Sequence, residues 1–273
     1  MPTGRVADTV QIDGDGRPLV LLHGGPGLSD YMALLDDETV GWRRIRYQQR
    51  GIAPSPESAP FTVARHLDDL STVLDAADVH QAVVLGHSWG GHLALHAAAR
   101  LPDRVAGVVA VDPLGAIGDG GADALGAALM ARLLPGAREK VAALAQRSSG
   151  GDVDDGAATE RLALVWPGYF AHPPTAPPLP PGLRLSVQCH AGTMASVRSE
   201  IEGGFPDRLA QLRVPVEIVL GAQSPLPNEA GITTAALIPR CGTTIVPGAG
   251  HLPWHEQPGC VRQALRRLEA ELD

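Results

Sequence analysis

The sequence predicts an α/β fold in which helices flank a mostly parallel central sheet. Short apolar runs, typical of strands buried on both faces, alternate with segments of helical periodicity up to residue 113 and again after residue 206. Between these parts the periodicity is helical throughout, which indicates an inserted helical cap. We therefore expect a first part of the core at 1–113, a cap at 114–206 and a second part of the core at 207–273.

Each predicted element rests on its own local pattern. The expected strands are 9–12, 19–22, 44–47, 83–85, 105–111, 214–221 and 243–246, and the expected helices are 62–76, 93–99, 123–134, 137–147, 157–166, 228–238 and 258–272. Thr62 is a candidate N-cap, and Pro258 is expected in the first turn of the last helix. Because strands and helices alternate, the crossovers are expected to be right-handed and the sheet mostly parallel.

Composition limits the classes of partner. The chain has 273 residues and a formal net charge of -8, with no basic run, which argues against nucleic acid or anionic membrane and favours a small-molecule substrate. Residues 1–11 do not resemble a signal peptide and no stretch is long enough to cross a bilayer, so we expect a cytoplasmic protein. We also expect a monomer or a homodimer. The three cysteines are far apart and indicate neither a disulfide framework nor a zinc site.

A Gly-x-Ser-x-Gly motif follows the apolar run at 83–85. Gly86-His87-Ser88-Trp89-Gly90 lies between this strand and a helix rich in alanine and leucine, which is the context of a nucleophile elbow. Glycine on both sides of Ser88 suits a turn too tight for side chains. A chance match in a glycine-rich chain is the alternative, but the flanking elements favour Ser88 as a nucleophile.

A second motif, His23-Gly24-Gly25-Pro26-Gly27, follows the strand at 19–22. A glycine-rich loop in this position leaves backbone N–H groups available, so the N–H groups of Gly25 and Trp89 are predicted to form an oxyanion hole. The alternatives are an ordinary turn or a phosphate cradle, although the Gly-Lys-Ser/Thr ending of a P-loop is missing.

The predicted substrate pocket includes His23, Gly24 and Trp166. Trp166 lies with Tyr169 and Phe170 at the end of a predicted cap helix, where these aromatic residues form either the roof of the pocket or part of the cap core.

Together these motifs resemble the α/β-hydrolase superfamily over almost the full chain. The His-Gly-Gly-Pro-Gly loop, Gln49-Arg50-Gly51 and Gly86-His87-Ser88-Trp89-Gly90-Gly91 are most similar to the prolyl iminopeptidase branch. The resemblance implies an α/β-hydrolase fold, Ser88 as nucleophile and His251, in Gly-Ala-Gly-His, as general base.

The triad acid departs from the pattern of the superfamily. Relatives usually carry an aspartate shortly after the strand that corresponds to 216–220, where this chain has Ser224. A hydroxyl cannot offset an imidazolium charge as a carboxylate does. Asp112 ends the strand after the elbow helix, a position used by lactonases of the zearalenone-hydrolysing type, and is the preferred acid. An Asp-Pro turn is the alternative role for Asp112, and Glu229 is the second candidate acid.

The predicted activity is that of a serine hydrolase acting on a small, mainly apolar ester, lactone or amide, with no metal and no organic cofactor. His87, His92, His96, His190 and His255 lack metal-ligand spacing with carboxylates. An aminopeptidase is one alternative, in which Glu200 or Glu202 would bind the substrate ammonium. A lyase, a cyclase or a ligand-binding protein is another, because the usual acid is missing.

Overall fold

The chain folds around one seven-stranded sheet. The computed structural model describes residues 4–148 and 154–272. The strands, numbered in chain order, are β1 (Gln11–Asp13), β2 (Pro18–Leu22), β3 (Arg43–Arg46), β4 (Ala82–His87), β5 (Val105–Val111), β6 (Val216–Gly221) and β7 (Cys241–Val246). Their spatial order is β1-β3-β2-β4-β5-β6-β7, and every neighbouring pair is parallel except β1 with β3. The predicted fold class is confirmed, and each predicted strand is present with ends displaced by no more than two residues.

Ten α-helices lie in the described part of the chain. They are α1 (Val63–Ala76), α2 (Trp89–Arg100), α3 (Ala122–Ala131), α4 (Ala137–Ser148), α5 (Asp155–Val165), α6 (Val187–Glu202), α7 (Phe205–Leu209), α8 (Asn228–Leu237), α9 (Pro253–Glu256) and α10 (Cys260–Ala270). The Thr62 hydroxyl accepts the Arg65 N–H at 3.2 Å, which confirms the predicted N-cap of α1. Pro258 lies outside α10, because Gly259 with φ +92° interrupts the helical backbone before Cys260. The sixteen-residue α6 was not predicted.

Side chains on the two faces of the central strands belong to two separate hydrophobic clusters. Val84 of β4 packs with side chains of α1 and α2, whereas Leu85 packs on the other face with Leu265 of α10. Register pairs Leu85 with Leu21 of β2 and with Val109 of β5. This alternation explains why the central strands are continuously apolar, since neither face meets water.

The helices between β5 and β6 divide into two groups. Val141 of α4 packs against Leu162 and Val165 of α5 in a small separate cluster. Val197 of α6 and Phe205 of α7 instead join the main core beside α1 and α2. The division at 113/114 and 206/207 stays a prediction. No helix among the described residues combines the length and apolarity needed to span a membrane.

Candidate active site

Ser88 lies on a sharp turn between β4 and α2. Its backbone has φ 56° and ψ -120°, a conformation that is strained for a residue with a side chain. A Cβ on Gly86 would collide with the Gly90 carbonyl oxygen, and one on Gly90 would collide with that of Leu22. The glycines therefore permit the close approach of turn, helix and strand that the motif predicts.

Two backbone N–H groups near Ser88 are available as donors. Trp89 is the first residue of α2, so its N–H lies in the first helical turn, where no intrahelical acceptor exists. Neither the Trp89 N–H nor the Gly25 N–H has an acceptor among the described residues. Both residues line the same cavity as Ser88, as an oxyanion hole requires.

His251 and Asp112 are in direct contact. His251 Nδ1 lies 2.7 Å from Asp112 Oδ2, and both side chains are buried. Asp112 follows the end of β5 with φ 45°, and its N–H donates to the Val219 carbonyl oxygen of β6 at 2.7 Å. The end of β5 thus brings the Asp112 carboxyl to the loop that carries His251.

The other candidates for the acid lie differently. The Ser224 hydroxyl is 3.4 Å from His251 Nδ1 and accepts the Leu226 N–H at 3.1 Å. Glu229 is exposed in the first turn of α8 and makes no described contact with His251. Of these three residues, Asp112 is the one whose carboxyl group contacts His251 in the described part of the chain.

Burial raises the pKa of the Asp112 carboxyl above its ordinary value, and the hydrogen bond from His251 opposes that rise. The ionised Asp112 carboxyl is therefore stabilised chiefly by the hydrogen bond that it accepts from the His251 N–H. The two side chains form a coupled pair.

A hydrogen-bonded chain that the motifs did not predict runs behind Ser88. His87 Nε2 is 2.8 Å from the His251 carbonyl oxygen, which can only accept, so Nε2 carries the proton. The Tyr31 hydroxyl then donates to His87 Nδ1 at 2.6 Å and accepts the Gly24 N–H at 2.8 Å. Burial lowers the pKa of His87 well below its ordinary value, consistent with this neutral tautomer. These hydrogen bonds join the glycine-rich loop at residues 23–27 to the backbone of His251.

Ser88 and His251 open onto one largely apolar cavity of about 360 Å³. Among the described residues its polar lining side chains are few: Tyr31, His87, Ser88, Arg161, Tyr169, His190 and His251. The Tyr169 ring stacks on His251 at a centroid distance of 5.3 Å. Leucine, methionine and valine side chains from the helices between β5 and β6 supply much of the remaining wall.

The predicted pocket residues are only partly found in this cavity. Trp166 lines the cavity, with its Nε1–H donated to the Pro177 carbonyl oxygen at 2.9 Å. His23 and Gly24 do not line it. His23 is fully buried beneath the loop, where its Nε2 accepts the Gln49 N–H at 3.3 Å, and the Gly24 N–H is used by Tyr31. Their place in the pocket is corrected accordingly.

The carboxylates weighed for an aminopeptidase do not reach the cavity. Glu200 forms ion pairs with Arg100 at 2.6 Å and with Arg208 at 2.8 Å, and Glu202 is exposed on α6. The buried His92 and His96 contact each other through their Nε2 atoms at 3.2 Å. Among the described residues no cluster of His, Cys, Asp and Glu could hold a metal ion.

Comparison with known proteins agrees with this architecture. The family model described as alpha/beta hydrolase fold matches residues 17–152. The chain is 43% identical over 63 residues to the lipase LipV of Mycobacterium tuberculosis, covering 23% of this chain and 24% of LipV. It is 33% identical over 109 residues to a proline iminopeptidase of Heyndrickxia coagulans, covering 37% of this chain and 36% of that protein. The matches thus span well under half the length of these curated relatives.

A solved structure extends the similarity of the fold to nearly the whole chain. A thermophilic esterase from Thermogutta terrifontis superposes with a TM-score of 0.66 at 23% identity, covering 96% of this chain and 93% of the esterase. At this identity the likeness concerns the fold. With the matching family model, the seven-stranded sheet and the elbow between β4 and α2, it identifies the chain as a member of the α/β-hydrolase superfamily.

Proposed function

We propose that the protein is a serine hydrolase that cleaves a small, mainly apolar ester, lactone or amide through an acyl-enzyme. The proposal rests above all on one juxtaposition. Ser88 and His251 line the same cavity, and Asp112 contacts His251 Nδ1 at 2.7 Å. A Ser-His-Asp triad requires a nucleophile, a base and an acid in contact, and their order along the chain, Ser88, Asp112 and His251, is that of α/β-hydrolases.

In the first half of the reaction Ser88 Oγ attacks the substrate carbonyl carbon. The Oγ proton passes to His251 Nε2, and the carbonyl electron pair moves onto oxygen. The N–H groups of Gly25 and Trp89 donate to this oxyanion, and ionised Asp112 offsets the imidazolium charge. When the tetrahedral intermediate collapses, the bond to the leaving group breaks and His251 returns the proton to that group, which leaves an acyl-Ser88 ester.

The second half repeats these steps with water. His251 removes a proton from the attacking water, the oxyanion forms again, and the bond between the acyl carbon and Ser88 Oγ breaks. His251 then returns the proton to Ser88 and the acid product is released. The proposed mechanism uses no metal and no organic cofactor.

The shape and lining of the cavity support the proposed substrate class. A volume of about 360 Å³ is at the small end of ligand pockets, and the lining is mostly leucine, methionine, valine and tryptophan. Such a cavity favours a compact apolar acyl or alcohol group over a long peptide. Esters, lactones and activated amides share the electrophilic carbonyl that the triad would attack.

An aminopeptidase activity has less support. A substrate ammonium needs a carboxylate partner when it is desolvated, and none of the described lining residues carries one. The one charged group contributed by Asp, Glu, Lys or Arg to the described lining is the guanidinium of Arg161, which would repel an ammonium.

The test compares wild type with Ser88→Ala on p-nitrophenyl butyrate, γ-butyrolactone and proline p-nitroanilide. We expect ester or lactone turnover that falls at least about 10³-fold in Ser88→Ala and weak or no turnover of the proline amide. Ser199→Ala changes an exposed serine on α6 outside the cavity and serves as the matched control. Equal turnover by wild type and Ser88→Ala would contradict the proposal and favour non-hydrolytic chemistry or ligand binding.

A further inference from the structure

We infer that the substrate carries a carboxylate at the end remote from its scissile carbonyl, and that Arg161 binds it at the mouth of the cavity. This inference deepens the proposed function and rests on it for the position of the scissile bond. Among the described residues that line the cavity, Arg161 carries the one guanidinium, and most of the others are apolar.

Arg161 is exposed on α5 yet belongs to the cavity lining. Ala158, Leu162 and Val165 line the cavity from the same helix. The methylene groups of the Arg161 side chain therefore lie along an apolar wall, and the guanidinium at their end is exposed to water. Arg161 therefore lies where the cavity opens to solvent.

The guanidinium has no ion-pair partner in the part of the chain that the structure describes, unlike those of Arg104 and Arg267, which pair with Asp75 and Glu217. Arg50, for comparison, donates to Asp69 through Nε at 2.6 Å and through a second nitrogen at 2.8 Å. The hydrogen-bonding fork of Arg161 is thus available to a ligand, and a carboxylate matches it geometrically.

The charge of Arg161 is felt inside the cavity. Burial is the main reason that the pKa of His190 is lowered, and the charge of Arg161 adds to that lowering; it also opposes the rise that burial causes in the pKa of Tyr169. The Tyr169 ring stacks on the imidazole of His251, so one of the two groups whose pKa responds to Arg161 lies beside the proposed base.

The charge pattern selects one class of ligand. A cation at the opening and no described carboxylate in the lining favour an anion and disfavour an amine. The apolar wall between Arg161 and the reacting groups requires methylene or similar groups between the two ends of the ligand. A half-ester or half-amide of a dicarboxylic acid, or a lactone bearing a carboxylate, meets both requirements.

The kinetic test uses mono-p-nitrophenyl esters of dicarboxylic acids from succinate to suberate, each compared with the neutral ester of equal chain length. For the best chain length we expect wild type to favour the anionic ester by about tenfold in kcat/KM, as expected for one charge-assisted contact near solvent. Arg161→Gln should lose this preference, so that the anionic and the neutral ester of equal length have the same kcat/KM within about twofold. Arg138→Gln, which removes the same charge from an exposed position on α4, is the matched control.

A binding test separates this inference from the proposed hydrolysis. Calorimetry with Ser88→Ala compares adipamate, which is anionic, with neutral hexanamide. We expect adipamate to bind about tenfold more tightly, and Ser88→Ala/Arg161→Gln to bind the two alike. If the binding preference is seen but wild type hydrolyses no ester, the proposed function fails and the anion site stands. Equal binding and equal rates for anionic and neutral partners would overturn the inference.

Discussion

Replacing Asp112 by asparagine is expected to lower kcat/KM for ester hydrolysis by about 10⁴-fold. His251 Nδ1 and Asp112 Oδ2 are 2.7 Å apart. At that separation opposite unit charges attract by about 6 kcal/mol for an effective dielectric constant of about 20. This attraction arises only after His251 has taken the Ser88 proton, so removing the Asp112 charge raises the activation free energy of the reaction. A 10⁴-fold decrease corresponds to about 5 kcal/mol, in accord with that value.

The assay measures p-nitrophenyl butyrate hydrolysis by wild type, Asp112→Asn, Glu229→Gln and Ser224→Ala, each with its fold verified by circular dichroism. Glu229→Gln and Ser224→Ala are expected to stay within about tenfold of wild type, since neither residue supplies the carboxylate. Asp112→Asn/Ser224→Asp should regain at least about tenfold over Asp112→Asn, because position 224 lies 3.4 Å from His251 Nδ1. A tenfold or smaller loss in Asp112→Asn, or an equal loss in Glu229→Gln, would refute the reasoning.

The same substitution should not destabilise the fold at neutral pH. Burial raises the pKa of Asp112 in the folded state, so the folded protein binds this proton more tightly than the unfolded chain does. The free energy of unfolding therefore decreases as the pH rises through the folded pKa. Asp112→Asn removes the ionisable carboxyl and with it this decrease in the free energy of unfolding. The Tm of the variant at pH 7 is expected to equal or exceed that of wild type, and the difference in Tm should be smaller near pH 4.

Three further predictions concern the supports of the site. Gly90→Ala should lower the free energy of unfolding by at least about 3 kcal/mol in urea titrations, because its Cβ meets the Leu22 carbonyl, whereas Gly126→Ala, with nothing within 4 Å, should be neutral or stabilising. Tyr31→Phe leaves His87 Nδ1 and the Gly24 N–H unpaired, so it should lower the free energy of unfolding by about 1–3 kcal/mol and lower kcat. Tyr47→Phe removes a buried hydroxyl without a described partner and should leave the free energy of unfolding unchanged. Equal effects of the two substitutions would contradict the hydrogen bonds assigned to Tyr31. Burial lowers the pKa of His92 to about 4, so the unfolded chain binds its proton first and stability should fall as the pH drops from about 6.5 to about 4. His92→Gln should reduce that slope by about 1 kcal/mol per pH unit.

Local sequence patterns were sufficient for the sheet and the elbow. The runs that form β2, β4 and β5 are short and apolar at successive positions, as expected of strands buried on both faces. Gly86 and Gly90 indicate a turn around Ser88 that is too tight for a side chain at either position. Asp112 was predicted from its place at the end of a strand, where the ends of neighbouring parallel strands meet at one edge of the sheet, and from the resemblance to lactonases that carry their acid there.

Features that depend on distant contacts were not accessible in this way. The α6 helix has a weakly amphipathic sequence interrupted by Gly192, and its position is set by packing on α1. The place of His23 beneath the loop depends on Gln49, which is 26 residues away, and the link from Tyr31 to His87 spans 56 residues. Arg161 gave no signal in the sequence, since an arginine on a helix usually faces water without a cavity beside it.

Intact-mass measurement after treatment with a fluorophosphonate tests the central claim most directly. Wild type is expected to gain one adduct, located by peptide mapping on Ser88, and Ser88→Ala to gain none. Labelling of Asp112→Asn should be far slower than that of wild type, because the base that activates Ser88 loses its carboxylate partner. A folded wild-type protein that gains no adduct, or an adduct that persists in Ser88→Ala, would contradict the assignment of Ser88 as an activated nucleophile.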